Sequence, residues 1–271
     1  MLSQRVKAAL VFVPLVLILI YIGGWPFNLF ITGLLLLAAY EFIRLFNQMG
    51  YHPSFLVAAF GILLIIIQRW FFTVQHLGIF LTFFLFFVVA AALLEYERGK
   101  TDAAINLSIN LMVSFYLGWV GTHFILIRAL PEGLGWLLTA LPAAWLADSG
   151  AYFIGREIGE KKMTPRLSPN KTWAGLRGGT LAGTLSGMLL VLLWRSVGFL
   201  SPGTPIWQGL VMGFIVSILS PAGDLFISLF KRTAGVKDTG NIIPGHGGIL
   251  DRIDTWIWAA MLGYYLVLMF K

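Results

Sequence analysis

Three side chains in the segment Ser220-Pro221-Ala222-Gly223-Asp224-Leu225-Phe226-Ile227-Ser228-Leu229-Phe230-Lys231-Arg232 could do chemistry together. On a helix Asp224, Ser228 and Lys231 stand at i, i+4 and i+7, so an acid, a hydroxyl and a base share one face. Pro221 and Gly223 permit a local break that could admit water or an ion. The loop that follows runs from Lys237 through Gly240, His246, Gly247 and Gly248 to Asp251-Arg252-Ile253-Asp254. Glycines let backbone N–H groups converge on an anion. Asp251 and Asp254, three apart at a helix start, offer hard oxygens of the kind Mg²⁺ shares with substrate phosphates. Helix capping alone would account for Asp254 equally well.

A second polar segment carries Asp148 ahead of Tyr152, Gly155 and Arg156, then Lys161 and Lys162, and ends Ser168-Pro169-Asn170-Lys171-Thr172-Trp173-Ala174-Gly175. Ser168, Lys171 and Thr172 at the mouth of a glycine-rich helix could hold phosphate through side chains and the helix N-terminus. The Walker A spacing is missing. His52, His76 and His123 stand alone near helix ends, and His246 suits phosphate or a ligand carboxylate better than zinc, because no HExxH or Cys/His spacing accompanies it. No nucleophile elbow is present. With no cysteine among 271 residues, disulfides, thiolate catalysis and thiolate-bound zinc are excluded.

The elements that must position these groups are membrane helices. The chain is 58% hydrophobic and 11% charged, with a mean hydropathy of +0.85, and a soluble domain of this size normally carries about a quarter charged residues. Apolar runs long enough to span a bilayer core, roughly 20 residues each, recur along it. Such segments must satisfy their own backbone hydrogen bonds, and the alternation of barrel strands is absent. The expected fold is therefore all-α and polytopic, with about nine spans and a range of seven to nine. They fall near 6–22, 27–45, 54–72, 77–94, 105–127, 134–154, 174–194, 207–230 and 255–270. Residues 1–130 form an N-terminal set of helices, and 131–271 a catalytic region with polar loops near 155–173 and 231–254.

Basic residues orient the chain. With the N-terminus in the cytoplasm, only Arg69, Arg128, Arg195 and Lys271 fall outside, leaving 15 of the 19 on the cytoplasmic side together with both long loops. The formal net charge of +7 thus reflects topology and does not indicate nucleic acid. Arg5 and Lys7 precede the first apolar run as in a signal peptide, but without a convincing cleavage site the run reads as a retained helix. Of the twelve acidic residues, ten are placed in loops or at span ends, and Asp148 and Asp224 inside spans. A carboxylate inside a span is expensive and by default marks function, the plain alternative being an interhelical hydrogen bond or ion pair.

Ser228-x-x-Lys231-Arg232, Lys237-Asp238, Pro244-Gly245-His246-Gly247-Gly248 and Asp251-Arg252-Ile253-Asp254 together resemble the signature of the phosphatidate cytidylyltransferase (CDP-diacylglycerol synthase) family. The segments around Asp148 and Ser168–Gly175 are similar to that family as well, with Ala174 a departure where many members carry Glu or Gln. The similarity is specific over about 145–254. It implies a Mg²⁺-dependent enzyme of the bacterial inner membrane that faces the cytoplasm. Such an enzyme makes CDP-diacylglycerol and pyrophosphate from CTP and phosphatidic acid in the bilayer, and a homodimer is expected by analogy. Metal would be held by Asp224 and Asp251, with Asp148 and Asp254 as further ligands, and Lys231, Arg232, Lys237 and Arg252 would bind phosphate oxygens. The competing reading is a cation-coupled transporter or channel using Asp148 and Asp224. It leaves the His-Gly-Gly and Ser-Pro-x-Lys loops without a role.

Overall fold

The structure is a computed structural model, and it describes residues 13–72, 74–242 and 247–270. Among those residues helices occupy all nine predicted places, the first of them from residue 13 onward. They are α1 (Val13–Ile22), α2 (Gly24–Gln48), α3 (Phe55–Phe71), α4 (Leu77–Glu97), α5 (Ala103–Val113), α6 (His123–Ala129), α7 (Gly133–Ile158), α8 (Trp173–Ser196), α9 (Ile206–Leu219), α10 (Pro221–Thr233) and α11 (Leu250–Met269). Six helical stretches are long and apolar enough to cross a membrane, and α1 and α3 are shorter apolar helices. The protein is a polytopic helical membrane protein.

Two predicted spans turn out to be compound. The fifth runs from α5 through a π-helical stretch, Ser114–Val120, into α6. The widened turn brings the chain close to its neighbours. Ser114 Oγ donates to the Ala58 carbonyl at 3.1 Å, and a side chain on Gly118 would collide with Ile65 of α3. The eighth is split at Ser220, with α9 ending at Leu219 and α10 starting at Pro221. Proline is at home in the first helical position, where its missing N–H would have no intrahelical partner anyway. The polar loop near 155–173 is also more ordered than a loop. It holds an antiparallel hairpin, β1 (Lys162–Thr164) and β2 (Ser168–Thr172), with Lys162 opposite Thr172 and Thr164 opposite Ser168.

The chain forms two compact units, Met1–Thr122 with Phe230–Asp251, and His123–Leu229 with Arg252–Lys271. In the first, Leu35 and Phe42 of α2, Ile62, Ile65 and Ile66 of α3, and Leu117 of the π-helical stretch are fully buried. Helix α4 buries only Phe84 and Val88 and exposes Ile79, Phe83, Phe86 and Leu93, the apolar surface that lipid solvates. In the second unit α7, α8 and α9 pack through small residues. A Cβ on Gly183 would strike Ser217 Oγ, one on Gly187 the Gly209 carbonyl, and one on Gly213 the Gly183 carbonyl. Such contact of backbones is how membrane helices associate where lipid competes with apolar side chains. The glycine faces of α8 are spent within the chain and lend no support to dimerisation.

Candidate active site

Within the second unit, α10 and the hairpin bring two of the predicted groups into contact. Lys171, on β2, places its Nζ 2.8 Å from Asp224 Oδ2, and both side chains keep a quarter or more of their surface exposed (25% and 30%). Ser228, one turn further along α10, donates its hydroxyl to Asp224 Oδ1 at 3.3 Å. Asp148 on α7 lies within Coulombic reach of Lys171 and of Asp224. Thr172, next to Lys171, accepts the Gly175 N–H at 3.0 Å and so caps α8, which fixes the strand that carries the lysine.

A second cluster lies within the first unit. Lys231 Nζ donates to Asp251 Oδ1 at 2.6 Å, and here the side chains are only 10% and 5% exposed. The other oxygen of Asp251 accepts the Thr239 N–H at 2.8 Å, the Thr239 hydroxyl at 3.0 Å and the Gly248 N–H at 3.1 Å. Asp251 precedes the apolar run that begins at Thr255. Burial pushes its carboxyl up, but Lys231 and the N–H groups of Thr239 and Gly248 outweigh that and hold it below the ordinary carboxylate range. Gly247 adopts φ +82°, a left-handed conformation that suits glycine, directly before the N–H that Asp251 binds.

The sequence reading missed two members of this cluster. Glu41, on α2, is fully buried (0% exposed). Its Oε2 accepts the Thr239 hydroxyl at 3.0 Å and the Leu250 N–H at 2.8 Å, and its Oε1 accepts the Ile249 N–H at 3.0 Å. Position 41 falls inside the predicted second span, four residues from its end, so the rule that singles out Asp148 and Asp224 applies to it equally. Thr239 carried no signal beyond its place between Asp238 and Gly240.

The remaining predicted residues are placed differently. Arg232, Lys237 and Arg252 are exposed. Asp254 is buried in the second unit, where its Oδ1 accepts the N–H and hydroxyl of Thr255. Ser168 opens β2 and is partly buried. His246 lies outside the described residues, as does the Pro244-Gly245 pair before it. Among the described residues no three acidic or histidine side chains converge as a ready-made metal cage. The donor set around Asp224 nevertheless fits Mg²⁺. That ion commonly takes one or two carboxylates and completes its shell with substrate phosphates, and the lysine 2.8 Å away shows that Asp224 presents an oxygen to a cation.

Comparison with known proteins identifies the family of the chain. A family model described as the cytidylyltransferase family matches residues 3–270. The chain belongs to the cytidylyltransferase family. Among similar members, the phosphatidate cytidylyltransferase of Brucella suis is 33% identical over 97% of this chain and 92% of its own length. That of Staphylococcus epidermidis is 34% identical over 94% of the chain and 93% of its own length. That of Bacillus subtilis is 29% identical over 99% and 98%. Membership of the cytidylyltransferase family makes the chain a nucleotidyltransferase, and gives no support to a transporter or channel.

Proposed function

We propose that this enzyme transfers the cytidylyl group of CTP to phosphatidic acid, forming CDP-diacylglycerol and pyrophosphate. The substrates are those implied by the names of relatives aligned over nearly their whole length. The observation that carries the chemistry is the partly exposed ion pair of Lys171 and Asp224 with Asp148 beside it. An exposed pair contributes little to stability, about 0–1 kcal/mol, so an incoming polyanion can claim the lysine and free the carboxylate at small cost. The pair then becomes a phosphate-binding cation and a metal-binding anion.

In the reaction an oxygen of the lipid phosphate bonds to the α-phosphorus of CTP, and the bond from that phosphorus to the β-phosphate oxygen breaks. The nucleophile is already anionic, so the protein's task is alignment and charge neutralisation. Lys171 binds phosphate oxygens from the hairpin, and Ser228 orients the Asp224 carboxylate. Asp224 and Asp148 would hold Mg²⁺, which when bound draws charge from the phosphates and orients them. Asp251 is bound by Lys231, Thr239 and Gly248; it holds Lys231 and the Gly248 N–H in place and is a further metal ligand on the reading from sequence. Arg232, Lys237, Arg252 and His246 are further phosphate contacts, and Asp254 a further metal ligand, on the reading from sequence. The excess of basic residues in the polar loops supports a cytoplasmic face of the inner membrane as the side on which the chemistry takes place.

Purified enzyme in detergent, given labelled CTP with and without phosphatidic acid and Mg²⁺, tests this directly. Labelled lipid that requires both additions is the expected result. Folded protein that yields none overturns the substrate assignment.

A further inference from the structure

We propose that Glu41 is a positioning residue of the Lys231–Asp251 cluster, a carboxylate delivered from α2 that caps the start of α11 and thereby sets Thr239, Gly248 and Asp251. The inference rests on the cytidylyltransfer reading above and adds to it a residue outside the signature region.

Helix N-termini leave N–H groups without intrahelical partners, normally satisfied by a local Ser, Thr, Asp or Asn. The residue before α11 is Ile249, which has no side-chain acceptor to offer. Glu41 takes that part from 208 and 209 residues away in sequence, one oxygen on the Ile249 N–H and the other on the Leu250 N–H. Its negative charge also suits the positive end of the helix dipole. The same carboxylate accepts the hydroxyl of Thr239, whose N–H binds Asp251. One buried side chain therefore ties both described shoulders of the glycine loop together, and Asp251 connects that tie to Lys231.

The backbone around Glu41 is shaped to admit it. A Cβ built on Gly240 would meet Glu41 Oε1 at 2.6 Å, and its three nearest neighbours are all atoms of Glu41. A Cβ on Gly248 would collide with Thr239 and with Glu41. The next residue in α2 braces the other approach. Phe42 packs against Phe230 with ring centroids 4.9 Å apart, and Phe46, one turn on, lies 5.4 Å from the same ring. Phe230 directly precedes Lys231, so α2 fixes the lysine's backbone as well as its partner's.

The test uses the full-length enzyme in detergent, with kcat and KM for CTP measured alongside amide hydrogen exchange at 249–250. In Glu41→Gln the amide keeps one acceptor, while its NH₂ faces an N–H that needs an acceptor. Exchange at 249–250 is expected to accelerate, and kcat to fall, each by roughly tenfold or more. KM for CTP should move less than about threefold, the pattern of a misaligned transition state. Gly240→Ala should lower kcat in the parent enzyme and add nothing in a Glu41→Ala background, where the methyl has room. Unchanged exchange and kcat per folded enzyme in Glu41→Gln would overturn the proposal, and so would equal damage by Gly240→Ala in both backgrounds. Parent enzyme that fails to label lipid would count against the cytidylyltransfer reading alone, because the exchange measurement still decides whether Glu41 holds the loop.

Discussion

Replacing Asp251 by Asn should destabilise the protein by about 3 kcal/mol, and removing Lys231 as well should recover part of that loss. The figure comes from how the four donors divide between the two oxygens. Oδ2 receives the N–H and hydroxyl of Thr239 and the N–H of Gly248, and Oδ1 receives only Lys231. An asparagine would turn its oxygen to the three donors and its NH₂ to the ammonium, leaving Lys231 charged, largely buried and facing a donor. Removing one member of a buried pair costs about 3–5 kcal/mol, and the retained contacts at the amide oxygen favour the low end. Lys231→Met alone leaves a carboxylate still bound by N–H groups, for a loss of about 1–3 kcal/mol. In the double variant no buried charge is stranded, so the two losses should fall short of adding by at least about 1.5 kcal/mol. Reversible unfolding of the purified protein in mixed micelles, followed by tryptophan fluorescence, measures all three variants. Additivity within about 0.5 kcal/mol would refute the reasoning and demote the 2.6 Å contact to an incidental one.

Four further outcomes are expected. Asp224→Asn should lower lipid labelling by about 100-fold or more while circular dichroism and thermal midpoint stay near those of the parent; retained turnover would remove Asp224 from the metal site. Lys171→Met should raise KM for CTP while costing under about 1 kcal/mol of stability, because its ion pair is a quarter exposed; a stability loss as large as that of Asp251→Asn would contradict the assignment. Gly187→Ala should cost about 1–3 kcal/mol in the same unfolding assay, since its methyl would meet the Gly209 carbonyl and the Gly213 backbone. The carboxyl of Asp251 is held below its ordinary range, so its contribution to stability is complete above the unfolded value of about 3.9 and is lost as pH falls through the lower folded value. Acid should therefore weaken the parent more steeply than Asp251→Asn; parallel profiles would argue against the shift.

The helices were legible because the bilayer demands long apolar runs, and the nine predicted segments match the nine places where helices stand. Their interruptions were harder to read. Pro221 announced the break before α10, but nothing in Ser114–Val120 distinguishes a π-helical stretch from a regular turn, since the contacts it makes are with α3, distant in sequence. The hairpin at 162–172 is hidden in the sequence by its short strands, one of them carrying Pro169, which give no alternating pattern. Site residues carried by local spacing, such as Asp224 with Ser228, could be read from one segment. The partner of Asp224 could not: Lys171 lies 53 positions earlier, and only the folded hairpin brings it there. Glu41 illustrates the same limit more sharply, because its partners at 239, 249 and 250 follow about 200 residues later.

In the function proposed above, exposure more than residue type divides labour between the two lysine–carboxylate pairs. Each joins an ammonium to an aspartate at under 3 Å, and a sequence reading gives both the same role. A pair sheltered to 10% and 5% cannot be opened without stranding charge in a poorly hydrated place, so Lys231 and Asp251 are suited to hold a loop in one shape through many turnovers. A pair exposed to 25% and 30% loses little when water or ligand replaces either partner, so Lys171 and Asp224 can separate when phosphate arrives. The same contrast predicts how salt should act. Raised ionic strength screens exposed charges and leaves buried ones nearly untouched, so it should weaken CTP binding well before it affects the unfolding midpoint. Salt that lowered both together would mean the two pairs are equally open to solvent, and the division of roles would fall.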